Sequence, residues 1–321
     1  MNQTMMPDVS FVVAAYNARD TIGRAIDSAL AQVGVAVEVV VVDDRSTDGT
    51  AELVRYFGDA RVRLVELPVN GGPGAARNAG IEAAAGRWIA VLDSDDEVLP
   101  GRSAAMIACA GRMDAEIVVD NLKVMKPGEP AETMFSPAEL AKLPALTLAD
   151  FISSNVIFRS TFNFGYMKPM FLRDLLTRKS LRFDESLRIG EDYILLASAL
   201  ASGGRCAIEP SAGYIYHIRQ GSISRVLKPE HVEAMMAADA RFLSDYPLDG
   251  AARAAQTQRS QSLNEAAAFL ALVDAIKRRA WADCFKLAAA HPGALRHLKM
   301  PIAERLRRVA RSATQARRTF P

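Results

Sequence analysis

The chain has 321 residues, a net charge of +2, 50% hydrophobic and 24% charged residues. This ordinary globular composition excludes collagen, extended disorder and a disulfide scaffold. Three dispersed cysteines, Cys109, Cys206 and Cys284, form no CxxC pair, which points to a reducing compartment and away from a zinc ribbon. No apolar run approaches the ~18 residues of a spanning helix, and Met1–Asp8 lacks the basic flank and apolar core of a signal peptide.

The length predicts one large domain of ~200–230 residues and a smaller appendage. Val9–Ala15 is a continuous β-branched run, as expected of a strand buried on both faces of a parallel sheet. Asp20 can cap a following helix whose apolar residues Ile22, Ala25, Ile26, Ala29 and Leu30 keep helical spacing. A second buried strand, Val37–Val42, ends at Asp43-Asp44, and turn chemistry at Ser46–Thr50 opens a short helix. Val62–Leu67 reads as a third strand. The glycine-rich Asn70–Gly74 then feeds a helix from Ala75 to Ala85. Trp88–Leu92 is a fourth strand, ending at Asp93-Ser94-Asp95-Asp96. A helix over Gly101–Gly111 and a strand over Glu116–Met125 follow. Residues 126–144 read as an exposed loop, Pro169–Lys179 and Gly190–Ala201 as helices, and Ala212–Ile218 as a strand. Pro229–Asp245 and Ala251–Ala290 are helical by period.

This alternation predicts an α/β fold with a doubly wound, mostly parallel sheet and a helical C-terminal extension. Ligands in such sheets sit outside the carboxyl ends of the strands. Asn17, Asp43 and Asp93–Asp96 all stand at such ends and are expected to face one crevice.

The acidic run Asp93–Asp96 is either a solvated turn or a site for a hard divalent cation shared with phosphate oxygens. Asp43 either caps a helix or accepts a hydrogen bond from a base N–H or ribose hydroxyl. Asn70–Ile81 couples glycines with Arg77 and a helix N-terminus, which suits a nucleotide phosphate. GxGxxG is absent after the first strand and GxxxxGK[ST] is absent throughout, which disfavours dinucleotide and Walker-type sites. Glu191-Asp192 either complements a helix dipole or supplies a general base. His217 precedes the polar run Arg219–Arg225, where it is either structural or a diphosphate or metal contact. The end of the chain carries eight Lys or Arg against Glu304 over residues 293–321, leaving a mildly acidic body. Its stripe Ile302, Leu306, Val309, Ala313, Ala316 and Phe320 opposes Arg307, Arg308, Arg311 and Arg318. That pattern suits an anionic membrane surface or a terminal helix, and nucleic acid is not an expected partner.

Val9–Asn17, Val39–Thr50 (VVVVDDRSTDGT), Asn70–Ile81 (NGGPGAARNAGI), Trp88–Pro100 (WIAVLDSDDEVLP) and Gly190–Asp192 together resemble the family 2 inverting glycosyltransferases of GT-A fold. Within that family the likeness is strongest to the bacterial exopolysaccharide enzymes of the succinoglycan glucosyltransferase kind. The resemblance covers about residues 7–225, the expected transferase domain, with a donor half to about 125, an acceptor half beyond it, and the extension from 226. It implies a UDP-sugar donor and Mg²⁺ or Mn²⁺. It assigns Ala15, Tyr16, Asn17, Asp43 and Arg77 to the uridine pocket and Asp93, with Ser94, to the nucleotide-sugar. Asp95 becomes the metal ligand, with Asp96 and His217 as secondary candidates. Asp192 becomes the catalytic base and Glu191 an acceptor-binding residue. Tyr216–Ser224 resembles the loop that closes over the diphosphate. The QxxRW element of processive synthases is absent, which implies one sugar per encounter. The acceptor implied is a polyprenyl-diphosphate-linked oligosaccharide at the inner face of the cytoplasmic membrane. Two other readings are a nucleotidyltransferase that makes a sugar nucleotide and a non-catalytic membrane scaffold. The first usually carries a basic, glycine-rich loop where Tyr16–Asp20 stands, and the intact carboxylates argue against the second.

Overall fold

The computed structural model describes residues 6–159, 162–218 and 227–298. In chain order the first half comprises β1 (Val9–Ala15), α1 (Arg19–Leu30), β2 (Val37–Asp43), α2 (Thr50–Arg55), β3 (Val62–Glu66), α3 (Pro73–Ala83), β4 (Trp88–Val91), β5 (Glu97–Val98), α4 (Arg102–Met113) and β6 (Ile117–Met125). Then come β7 (Glu132–Thr133), α5 (Pro137–Leu140), α6 (Leu148–Ser154), a 3₁₀ turn at Phe164–Tyr166, β8 (Met170–Leu172), α7 (Arg173–Arg178), α8 (Glu191–Ala201) and β9 (Cys206–His217). The chain continues as α9 (Pro229–Asp245), α10 (Gly250–Lys277), α11 (Trp281–Ala290) and α12 (Pro292–Leu295).

The strands form one sheet in the order β3-β2-β1-β4-β8-β6-β9-β5, with β7 beside β6. β1, β2, β3 and β4 pair in parallel, and so do β6 and β9. β1 and β2 are buried along nearly their whole length, as β-branched runs covered by helices on both faces must be. α1 turns Ile22, Ala25, Ile26 and Ala29 inward. Its N-cap is Ala18 rather than Asp20, because the start of α1 is held from outside: Ala18 N–H donates to Thr50 Oγ1 and Arg19 N–H to Asp48 Oδ2. α3 lies tight on the sheet, since a Cβ at Gly80 would run into the side chains of Val12 and Val42.

Four elements differ from expectation. Pro169–Lys179 is not one helix, because Met170–Leu172 fills the gap between β4 and β6, antiparallel to both. Two open strand edges outweigh a helical period over three apolar residues. Residues 126–144 hold β7 and α5, and Leu140 of α5 reaches the core. β9 is longer than its expected run, and its register on β6 shifts twice, at Pro210-Ser211 between Asp120 and Asn121 and at Gly213 between Asn121 and Leu122. Asn121 fills that bulge: its amide donates to Phe135 O and Pro210 O, and its Oδ1 accepts from Leu122 and Phe135 N–H. The long C-terminal helix breaks at Arg279, whose φ is +59°. Arg279 N–H bonds Ile276 O and Ala280 N–H bonds Ala275 O, a Schellman end with arginine where glycine is usual.

The C-terminal helices pack on the body. Leu263 and Ala266 of α10 join Val232 and Met235 of α9, with Ile157, Phe158 and Ile189 against them. Arg259 pairs with Asp239 at 2.9 Å and stacks on Tyr193, its guanidinium 3.6 Å from the ring centre. Among the described residues no helix is long and apolar enough to cross a membrane.

Candidate active site

The sheet register sets the site. Ala15 is level with Asp43 across β1–β2, and Val12 with Val91 across β1–β4. Asp93, two residues past the end of β4, therefore stands at the same carboxyl edge as Ala15 and Asp43. Ala15 is buried. Asn17 adopts a left-handed conformation, φ +49°, which asparagine tolerates. Its Oδ1 accepts Thr47 N–H at 2.9 Å, and its own N–H donates to Ser46 Oγ at 2.9 Å. This ties the β1–α1 turn to the β2–α2 turn and leaves the Tyr16 side chain outside, 54% exposed. Asp43 is buried. One oxygen accepts Ser46 N–H at 3.0 Å, and the other, Oδ1, has no partner. Asp44 clasps the glycine loop, accepting Gly71 N–H at 2.7 Å and Gly72 N–H at 2.8 Å.

Beyond this edge a charged cluster joins three elements. Arg77, buried on α3, donates to Asp93 Oδ1 at 2.8 Å and Glu191 Oε1 at 2.6 Å, and lies 3.0 Å from Asp192 Oδ1. Lys168, just before β8, places its Nζ 2.8 Å from both Asp93 Oδ2 and Asp192 Oδ2. Burial pushes the Asp93 carboxyl up, but Lys168 and Arg77 outweigh it and hold it well below the usual carboxylate range. Burial disfavours the Lys168 ammonium, yet Asp192 and Asp93 raise it above its ordinary value. Burial, then Asp192, push the Glu191 carboxyl up, with Arg77 opposing. Gly190, at φ +94°, turns the chain so that Glu191 and Asp192 open α8. Asn78 holds the approach to that turn, exchanging hydrogen bonds with the Phe183 backbone at 3.0 and 2.8 Å.

The acidic turn divides by burial. Ser94 and Asp95 are half-buried at the mouth, and Arg24 Nη2 pins the Asp95 carbonyl at 2.7 Å. Asp96 points inward. It accepts the Tyr214 hydroxyl at 2.9 Å and His217 N–H at 2.8 Å, so both oxygens are spent on the scaffold rather than offered to a metal. Burial, then Asp93 and Asp95, push its carboxyl well above the usual range. His217 directs Nε2 to Glu97 Oε1 at 2.7 Å. Arg219–Arg225, and residues 299–321 of the basic tail, lie outside the described residues.

Among the described residues no three His, Cys, Asp or Glu side chains gather to hold a metal by themselves. The donors nevertheless fit Mg²⁺ or Mn²⁺, since such ions take one or two hard carboxylates and complete their shell with water and substrate phosphates. Asp95, half-buried at the mouth, is the carboxylate placed for that role, whereas both oxygens of Asp93 are held by Arg77 and Lys168.

The structure thus gathers Arg77, Asp93, Glu191 and Asp192 into one contact network and sets Asn17 and Asp43 along the same edge. Sequence reasoning missed Lys168, although a lysine inside the apolar run Phe164–Leu172 was a visible irregularity. It also missed Arg102, whose side chain is bidentate to Asp120 at 2.8 and 2.9 Å and bonds Lys168 O at 2.6 Å. Asp44, beside Asp43 at the same strand end, shapes the glycine loop.

Comparisons with known proteins identify the family and the fold. Residues 10–173 match the model of glycosyl transferase family 2. The chain is 63% identical over 305 residues, 95% of its length and 88% of the relative's, to the succinoglycan biosynthesis protein ExoO of Rhizobium meliloti strain 1021. It is 29% identical over 219 residues, 67% of its length and 79% of the relative's, to WfgD of Escherichia coli, described as a UDP-Glc:alpha-D-GlcNAc-diphosphoundecaprenol beta-1,3-glucosyltransferase. The mannosyltransferase PcManGT from Pyrobaculum calidifontis, solved with GDP-Man and Mn²⁺, superposes with a TM-score of 0.58 at 20% identity. That match covers 97% of this chain and 84% of the other, a likeness of fold. The chain has the GT-A fold and belongs to glycosyl transferase family 2, and it is a glycosyltransferase.

Proposed function

We propose that this enzyme moves a hexose, glucose by preference, from a UDP-sugar to a polyprenyl-diphosphate-linked oligosaccharide during exopolysaccharide assembly. It adds one sugar per encounter and inverts the anomeric centre. The observation that carries the reading is the contact network at the carboxyl edge of the sheet, where Lys168 and Arg77 each touch both Asp93 and Asp192. One carboxylate of that network lies on the donor side, at the end of β4, and the other at the start of α8. Donor and acceptor would therefore meet over a single charged floor.

The residues divide the work as follows. Asp43 Oδ1, buried without a partner, suits a base N–H such as that of uracil. The exposed Tyr16 ring offers a face for the base to stack on. Asp95 would hold Mg²⁺ or Mn²⁺, which when bound neutralises charge on the leaving diphosphate. Asp192 accepts the proton of the acceptor hydroxyl as that oxygen attacks the anomeric carbon, since a sugar hydroxyl is too weak an acid to react unaided. Attack opposite the leaving group turns an α-linked donor into a β-glycoside. Glu191, turned to Arg77, fixes the guanidinium and borders the acceptor. Likeness to ExoO supports the polysaccharide context, likeness to WfgD the UDP-glucose donor and the diphosphate-lipid acceptor, and the Mn²⁺ complex of PcManGT the divalent metal. A polyprenyl acceptor places the reaction at the membrane, where the basic tail is the anchor expected from sequence.

The test is a panel of radiolabelled UDP-sugars, incubated with purified enzyme, Mn²⁺ and membranes bearing lipid-linked oligosaccharide. Label from UDP-glucose should enter the solvent-extractable lipid fraction and disappear with Asp192→Asn. Absence of transfer from every UDP-sugar, or transfer only to soluble sugars, would refute the reading.

A further inference from the structure

α11 has no buried residue in its ten positions. Only Cys284, Leu287 and Ala288 are half-buried, the seam by which the helix leans on the rest of the protein. At ~100° per residue, Trp281, Phe285, Ala289 and Ala282 fall in one arc beside that seam, and all four are exposed. Trp281 is 66% and Phe285 78% exposed. Four of the eleven large hydrophobic side chains standing exposed among the described residues (Ile276, Trp281, Phe285 and Leu295) lie between 276 and 295. The exposure is therefore concentrated rather than scattered.

Cations frame the same arc. Lys277 and Arg279 precede it and Lys286 lies along its rim, whereas Asp283, the one acid of α11, falls on the far side of the helix. Arg279 is the residue held at φ +59°. Glycine would occupy that position without strain, so the chain keeps a guanidinium there at a conformational cost.

We infer that α11 is a docking element for an anionic lipid bilayer. Trp281 and Phe285 enter the zone between headgroups and acyl chains, and Lys277, Arg279 and Lys286 meet the lipid phosphates. Two observations favour a bilayer over a protein partner. Two aromatic side chains offer roughly 300–500 Å², well short of the ~800 Å² each side brings to a stable protein interface, while a bilayer requires no shaped counterpart. A tryptophan–phenylalanine pair rimmed by lysine and arginine is also the chemistry of a helix lying in the lipid interface. The inference stands apart from the proposed sugar transfer, because vesicle binding is read without turnover. It is also separate from the basic tail.

The chain's two tryptophans make the test direct, since Trp88 is buried in the core and Trp281 is not. The full-length protein is mixed with vesicles of equal parts phosphatidylglycerol and phosphatidylcholine carrying brominated acyl chains. Co-sedimentation is expected, with a blue shift and bromine quenching of tryptophan emission. Trp281→Phe should still sediment but lose the quenching. Trp281→Ser with Phe285→Ser should lower partitioning on the order of tenfold. Arg279→Gly should weaken binding to the anionic vesicles about fivefold, leave binding to pure phosphatidylcholine unchanged, and keep or raise the thermal midpoint. Sedimentation without tryptophan quenching, no sedimentation, or a double variant that binds as the parent does would each overturn the assignment. So would a double variant that instead converts a dimer to a monomer in solution.

Discussion

Replacing Lys168 by methionine keeps the length of the side chain and removes one cation from between Asp93 and Asp192. The lysine side chain is 9% exposed and the two carboxylates 24% and 22%. Stripping one partner from a fully buried pair costs ~3–5 kcal/mol. Partial solvent access to the carboxylates, with Arg77 still in place, lowers this to ~2–3 kcal/mol. Asp93, held well below the usual range by Lys168 and Arg77 against the effect of burial, contributes stability above the unfolded value of ~4 and loses it as pH falls toward its folded value. Lys168, raised by Asp192 and Asp93 against its burial, contributes fully below ~10.4. The penalty of Lys168→Met is therefore full between those limits and narrows on acidification. Unfolding in urea, which is uncharged, should show a midpoint ~1 M lower near neutral pH, for a slope of ~2–3 kcal/mol/M. The gap should begin to narrow below about pH 4 and close only as pH falls toward the folded Asp93 value, well below the usual carboxylate range. A variant as stable as the parent near neutrality, or a loss that stays constant into acid, would refute the reasoning.

Asp192→Asn should fold normally, bind UDP with unchanged affinity by calorimetry, and lose ~10²–10⁴-fold in kcat; near-parental turnover would remove Asp192 from the chemistry. Asp95→Ala should abolish the metal-stimulated part of UDP binding, as should EDTA on the parent. Metal-enhanced affinity surviving in the variant would exclude Asp95 as ligand. Gly190→Ala should cost ~1–2 kcal/mol, because alanine is strained at φ +94° although Met235 leaves room for its methyl group. A thermal midpoint equal to the parent's would show that the α8 turn relaxes freely.

The donor side was legible because its signals are local. A β-branched run, a turn and an acidic strand end follow one another within a few residues, which puts Asp43 and Asp93 at strand ends from local pattern alone. Glu191-Asp192 was legible through a glycine and a helix start. What stayed hidden depends on distant partners. Lys168 matters because Asp93 and Asp192, far from it in sequence, both turn toward it. Asp96 looks equivalent to its neighbours in the acidic run, and only the Tyr214 hydroxyl and the His217 amide draw it inside. Met170–Leu172 has no strand signature of its own, because two waiting edges decide its conformation.

That three-residue strand also governs when the protein can be finished. β4 and β6 both depend on β8, so during synthesis neither acquires its shared neighbour until residue 172 has left the ribosome. A fragment released earlier would carry two bare edges into solution, each a template for self-association. Shortened versions of this transferase should therefore be cut beyond β9, which covers the other edge of β6, and yield of soluble product against truncation point should rise in steps past β8 and β9 rather than gradually.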